Sequence, residues 1–251
     1  MKYSMAFFKI KQAALISTGF LALLVNNVSQ AIELGSGFAL DVTLTALSDY
    51  RDTGISQTKG DPAIQGEAIL QHESGAYVGF FSSNVDSRTK AYREDMYFAG
   101  VTVPFSEDVS LDTYVGRYEY PNEANQDFNE FAAELTAYGF LVNYTYDFDF
   151  RGHIPNNSNW SLGYNFALPY ETNLLVRYGY SDVRIDAFFS NSGESRSQYT
   201  DWEAKISKEL YGVNVFASYI DTDLSKAECF SAVGYKDSCS ATVVVGVSKT
   251  F

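Results

Sequence analysis

Between residues 140 and 150 the chain reads FLVNYTYDFDF, and apolar and polar positions take turns along it. Phe140, Val142, Tyr144, Tyr146, Phe148 and Phe150 fall on one side, and Asn143, Thr145, Asp147 and Asp149 on the other. A repeat of two residues marks a β-strand with one apolar and one polar face. The same rhythm runs through NWSLGYNFAL (159–168), NLLVRYGY (173–180) and YTDWEAKI (199–206). In the last of these, Thr200, Trp202, Ala204 and Ile206 oppose Tyr199, Asp201, Glu203 and Lys205. About twelve strands are predicted, near 37–50, 63–73, 76–84, 93–103, 109–120, 130–138, 139–150, 159–168, 172–183, 197–207, 212–221 and 240–251.

The connections alternate in length. Ser74-Gly75, PFSED (104–108), Tyr138-Gly139, PYE (169–171) and SKELY (207–211) are short. The stretches around 51–62, 85–92, 121–129, 151–158, 184–196 and 222–239 are longer and polar. Short turns at one end and long loops at the other fit a closed antiparallel transmembrane β-barrel, with the turns in the periplasm and the loops outside. In lipid every backbone N–H and C=O must pair within the protein, and closure leaves no open edge. A sandwich would instead bury the aromatic face between two sheets. The loop alternation favours the barrel, and so does the final strand, which ends on Phe251 with Val243, Val245 and Val247 on the same face. A terminal aromatic on an amphipathic strand resembles the signal read by the outer-membrane insertion machinery, although Lys249 stands where an apolar residue is usual.

Composition narrows this further. Lys2, Lys9 and Lys11, the apolar run AALISTGFLALLV (13–25) and Ser29-Gln30-Ala31 make residues 1–31 an expected signal peptide, cleaved after Ala31. Residues 32–251 would then form the barrel domain in the outer membrane of a Gram-negative cell. The chain carries a net charge of -13, which falls to -16 when the three leader lysines are gone. Nucleic-acid binding is therefore disfavoured, because phosphate contacts need clustered Lys and Arg. There are 19 Tyr and 19 Phe against 5 Pro, as a chain of many strands facing lipid requires.

Residues 47–86 also carry Asp49-Tyr50, Gly54-Ile55-Ser56-Gln57-Thr58, Pro62-Ala63-Ile64-Gln65-Gly66, His72-Glu73-Ser74-Gly75, Tyr77, Gly79 and Ser83-Asn84-Val85-Asp86. In these pieces the chain resembles the TorF family of outer-membrane porins. It departs from that pattern at Thr53, where Arg is usual, and at Phe81, where Trp is favoured. The resemblance implies a barrel with a porin label.

His72 and Ser74 raise a different possibility, an outer-membrane lipid hydrolase. Such chemistry needs an acid that orients the His and an oxyanion hole. Glu73 is the next residue in the strand, so it points to the opposite face from His72. Ser74-Gly75 suits a periplasmic turn better. A structural or adhesive barrel without transport, and a soluble β-protein, are also compatible with the strand rhythm. His153 sits in an expected outer loop, and no metal or cofactor pattern is present; Asp147, Asp149 and Gly152 fail as a calcium loop because position 158 is Ser. Cys229 and Cys239 fall in the last long loop, where an oxidising compartment makes a disulfide the default.

If the barrel closes, its function lies on the polar face. The expected pore-lining residues are Asp41, Glu67, Asp112, Glu134, Asp147, Arg177, Asp201, Glu203 and Lys205. Acid-rich walls backed by low dielectric attract cations. Twelve strands lie between the filled barrels of about 8 strands and the open porins of about 16–18. The expected function is a narrow, cation-preferring channel for small solutes or ions, with membrane lipid as its surroundings. Arg177 with Asp201, Glu203 and Lys205 forms either a charged constriction or an inter-strand brace.

Overall fold

The computed structural model describes residues 31–86, 89–151 and 155–251. The expected leader, apart from Ala31, and His153 lie outside the described residues.

Twelve antiparallel strands form one closed sheet. They are β1 (Phe38–Leu47), β2 (Ala63–His72), β3 (Ala76–Asn84), β4 (Arg93–Pro104), β5 (Val109–Glu119) and β6 (Phe128–Ala137). Then follow β7 (Phe140–Phe148), β8 (Asn157–Leu168), β9 (Thr172–Asp182), β10 (Gln198–Leu210), β11 (Val213–Thr222) and β12 (Thr242–Thr250). Each strand pairs with its neighbour in sequence, and β1 also pairs with β12 from Leu47↔Gly246 to Thr43↔Thr250. The seam is extended by Ser48 N–H donating to Val245 O at 2.8 Å and by Phe251 N–H donating to Val42 O at 2.9 Å. A short N-terminal strand, Ile32–Gly35, folds back on β1.

Two of the short turns show why their residues were chosen. Phe140 pairs with Ala137 across Tyr138-Gly139, whose φ values are 52° and 88°. Leu210 pairs with Val213 across Tyr211-Gly212, with φ values of 54° and 76°. Two positive φ values in succession fit the hairpin turn whose twist matches the strands. The second turn corrects the expectation of a connection at 207–211: β10 continues through SKEL, and only Tyr211-Gly212 turn. At Gly75 φ is 90°, and a Cβ there would meet the Thr102 carbonyl oxygen at 2.2 Å. Only glycine fits that close approach.

The strands place their residues by parity. Val142, Tyr144, Trp160, Leu162, Val176, Tyr178, Trp202 and Ile206 are exposed on the outer surface. Between them Thr145, Asp147, Asp201, Glu203 and Lys205 are buried inside. This inverts a soluble core and suits a surface surrounded by acyl chains. Lys249 stands on the outer face with its ammonium 4.8 Å from the Phe251 ring centre, and a long lysine near the membrane boundary can place its charge in the interface.

The long loops are structured. After β11 the helix α1 (Lys226–Val233) starts at Ser225, whose hydroxyl caps the Glu228 N–H while the Glu228 carboxylate accepts from Ser225 N–H. The helix ends at Gly234 with φ 83°. Cys229 and Cys239 are joined by a disulfide, as expected. Arg196 ties α1 to its surroundings, with ion pairs of 2.7 Å to both Glu228 and Asp223.

Candidate functional site: the lumen and its inward loop

The residues after β1 leave the rim and fold into the barrel. Asp49 is the anchor of this loop. Its carboxylate accepts from Arg51 Nε at 2.6 Å, Ser56 Oγ at 2.5 Å and Thr58 Oγ1 at 3.1 Å. Arg51 also donates to the carbonyls of Gly54 at 2.9 Å and Ser240 at 3.0 Å. On one flank the loop meets the disulfide-braced segment, where Ser56 N–H donates to Ser238 O at 2.8 Å. The Thr53 and Tyr199 hydroxyls share a hydrogen bond of 2.8 Å. Across the lumen Tyr50, only 1% exposed, donates to Glu94 Oε1 at 2.9 Å. Gly54 lies so close to β10 and β11 that a Cβ would come within 2.9 Å of the Asp201 side chain and 2.6 Å of the Thr222 methyl. The loop thus narrows the lumen.

The wall behind it is asymmetric. From β2 to β6 the inner face carries Ile69, Phe81, Met96, Phe98, Tyr114 and Tyr118, all buried. From β7 to β11 polar residues predominate, with Asn143, Thr145, Asp147, Arg177, Asp201, Glu203 and Lys205 beside the buried Leu141, Leu175 and Ile220. The sequence reading missed these apolar inward residues. It also missed Tyr50, Glu94, Tyr118, Tyr120 and Glu130. The signal was weak because the strands around 63–120 carry apolar residues on both faces.

The expected pore-lining residues all take the inner parity. Asp41 accepts from Gln71 Nε2 at 2.7 Å. Glu67 lies two register pairs along, opposite Thr43. Asp112 accepts from Tyr77 Oη at 2.7 Å and Thr102 Oγ1 at 2.6 Å. Glu134 stands directly across from Asp112, and Asp147 directly across from Glu130. Two carboxylates opposed on neighbouring strands destabilise a sheet unless something compensates them. On the other wall Arg177 pairs in register with Glu203 and forms a charge-assisted hydrogen bond to Asp201. Glu203 accepts from Ser218 Oγ at 2.6 Å, and Lys205 lies with its ammonium 4.2 Å from the Phe216 ring centre. Arg177, Asp201 and Glu203 therefore brace β9 to β10 while facing the lumen.

His72 Nδ1 and Ser74 Oγ are 2.9 Å apart at the exposed short-turn end. Among the described residues no carboxylate hydrogen-bonds to His72, and its ring packs 4.6 Å from Phe38.

A family model described as "Bacterial protein of unknown function (Gcw_chp)" matches residues 31–251. The chain belongs to that family. A comparison with curated proteins finds no match. Among solved structures, similar folds include a KdgM porin, with TM-score 0.51 and 8% identity over 84% of this chain and 98% of that one. A NanC porin gives TM-score 0.54 and 8% identity over the same shares. A KdgM porin in complex with disordered oligogalacturonate gives 0.52 and 8%. At such identities the likeness is one of fold: a closed antiparallel barrel of twelve strands.

Proposed function

We propose that this member of the family is a narrow outer-membrane channel through which small solutes or ions diffuse passively, with a preference for cations. The observation that carries this reading is the pair of carboxylate couples, Asp112 with Glu134 and Glu130 with Asp147, opposed in register inside a closed barrel. Each couple works against folding unless protons or passing cations compensate it, and a water-filled lumen supplies both. The porin neighbours and the resemblance of residues 47–86 to TorF-family porins support the channel. The acidic wall separates this chain from the neighbour that holds oligogalacturonate, because a polyanion would be repelled here. Delivery by the leader at 1–31, insertion through the strand ending at Phe251, and outer-membrane lipid against the aromatic outer face complete the proposal.

The test is a planar bilayer holding purified protein under a potassium chloride gradient. The expected reversal potential has the sign of potassium carrying the current, and an anion-selective potential refutes the charge argument. A sealed membrane with folded protein inserted favours the second reading, a structural barrel. The packed inner wall gives that reading its basis, since Tyr50 and Met96 are fully buried against the inward loop and its surroundings.

A further inference from the structure

The inward loop rests on the disulfide-braced segment that follows α1. The Lys59 ammonium lies 4.3 Å from the Tyr235 ring centre. Ser56 N–H donates to Ser238 O at 2.8 Å, and Arg51 Nη1 donates to Ser240 O at 3.0 Å. Between these polar contacts, Ile55 of the loop joins Cys229 and Cys239 in one buried apolar cluster with Phe188, Tyr199 and Leu224. The two cysteines are 0% and 1% exposed, so the bridge is part of the packed surface beneath the loop.

Helix α1 has anchors of its own. Besides the ion pair of Glu228 with Arg196, Ser231 Oγ accepts from Phe189 N–H at 2.8 Å and donates to Ala187 O at 2.9 Å. Residues 235–240 are held less firmly. The Cys239 carbonyl accepts from Thr222 Oγ1 at 2.8 Å. Toward α1, the side-chain ties among the described residues are the bridge, the exposed pair of Lys226 with Asp237, and Lys236 with its ammonium 5.9 Å from the Phe230 ring centre. An exposed ion pair adds little. The bridge is therefore the strong link between α1 and the segment that carries the loop.

Opening it acts on the loop in two ways. Residues 230–238 gain the freedom that the cross-link removes, and Ser238 moves with them. Two thiols also cannot sit at bonding distance, so the close-packed cluster around Ile55 must rearrange.

We propose that the Cys229–Cys239 bridge is a redox switch on the inward loop: with the bridge intact the loop is seated and the lumen narrow, and with it opened the loop loosens and the lumen widens. The chemistry is thiol–disulfide exchange. An external dithiol gives two electrons and two protons, the bridge becomes two cysteine thiols, and the dithiol leaves as its cyclic disulfide. The coupling of bridge to loop stands apart from the channel reading, and its effect on permeation rests on that reading.

The experiment has two arms. In the first, amide hydrogen exchange of the folded protein in detergent is followed by mass with and without dithiothreitol. Exchange over 50–58 should quicken at least about tenfold on reduction, as loss of the Ser56 hydrogen bond and the Ile55 contact implies, while β3 keeps its rate. The double variant Cys229→Ser, Cys239→Ser should exchange like the reduced protein and ignore dithiothreitol. In Ile55→Ala the loop should be loose with the bridge intact, and reduction should quicken it less than in the wild type, because the two changes break one contact. The gel shift of an intact barrel is checked first. Reduced wild type carries the test if the double variant fails to fold, and the double variant carries it if the buried sulfurs resist the dithiol.

In the second arm, dithiothreitol on the long-loop side of single channels should raise the conductance of the wild type and not that of the double variant. Quicker exchange confined to 225–240 overturns the proposal, and so does a double variant whose 50–58 amides stay as protected as in the oxidised wild type. An equal gain on reduction in Ile55→Ala and wild type overturns the contact that the switch requires. Conduction indifferent to both reduction and substitution overturns the switch and leaves the channel standing. A loosened loop in a membrane that never conducts keeps the coupling and sinks the channel.

Discussion

Removing the Asp49 carboxylate should release the loop that narrows the barrel. Asp49 and Arg51 have side chains only 5% and 4% exposed, so the pair is out of water. In Asp49→Ala the Arg51 guanidinium loses its counterion, and Ser56 and Thr58 lose their acceptor. Breaking a buried pair from one side costs about 3–5 kcal/mol. Arg51 keeps its bonds to the Gly54 and Ser240 carbonyls, which places the loss near the lower end. About 3 kcal/mol shifts the balance between inward and released loop by roughly 10²-fold. The expected result is a larger and noisier single-channel conductance. Trypsin should also cut after Arg51 roughly 10²-fold faster, because that bond is buried while the loop is docked. Lys59→Gln is the control. Its ion pair with Asp86 is solvent-exposed, with side chains 26% and 53% accessible, and such pairs contribute about 0–1 kcal/mol. Conductance and cleavage after Arg51 should stay as in the wild type there. A folded Asp49→Ala barrel with wild-type conductance and wild-type resistance at Arg51 would refute the idea that this cluster holds the loop inside.

Other consequences can be measured separately. Replacing Cys229 and Cys239 by Ser frees a loop closed over a separation of 10 residues, which chain entropy values at about 3 kcal/mol; proteolysis of 222–239 should quicken, and unchanged rates would show that α1 and Arg196 hold the loop alone. Glu228 responds to pH. Burial pulls its carboxyl upward, but the hydrogen bonds from Arg196 and Ser225 outweigh this and hold it below the usual 4.5. A depressed carboxyl stabilises the fold above its unfolded value and loses that effect as pH falls through the folded one, so the protection factors of the α1 amides, which correct exchange for its intrinsic pH dependence, should be level above about pH 4.5 and fall below it. Gly75→Ala should cut the yield of folded barrel, seen as loss of the gel shift on boiling, since its Cβ would strike the Thr102 carbonyl. Glu203→Gln should weaken cation preference if Glu203 faces the ion path; a shift in unfolding alone would mark it as a brace.

What the sequence made legible was what repeats. Strands β7 to β10 put mostly apolar and aromatic residues outward and mostly polar groups inward, with Leu141, Leu175 and Tyr199 as inward exceptions, so their faces and most ends could be read directly. Gly75 and Tyr138-Gly139 announced their turns because positive φ limits which residues can serve there. At SKELY the cluster of charges mimicked a turn, yet Ser207 faces inward with Lys205 and the strand runs on to Leu210; the decisive signal was the glycine that follows Tyr211.

The lumen resisted reading for a different reason. Inside a small barrel an inward position needs only to fill space, and Ile69, Phe81, Met96 and Phe98 fill it without polarity. Alternation then vanishes, although the geometry is the same as in β7 to β10. The inward loop was harder still. Asp49, Arg51, Ser56 and Thr58 look like a solvated loop by type, and only their mutual hydrogen bonds show that they form a buried knot. Polar residues report burial through partners, and partners far apart in sequence, such as Tyr50 with Glu94 or Arg51 with Ser240, leave no period to detect. The same holds for the acids. Their number could be counted along the chain, but the chemistry arises from register, which sets Glu130 against Asp147 and Arg177 against Glu203. One pair adds to the local field and the other cancels it, so the electrostatic field inside this barrel depends on the pairing of its strands more than on its net charge.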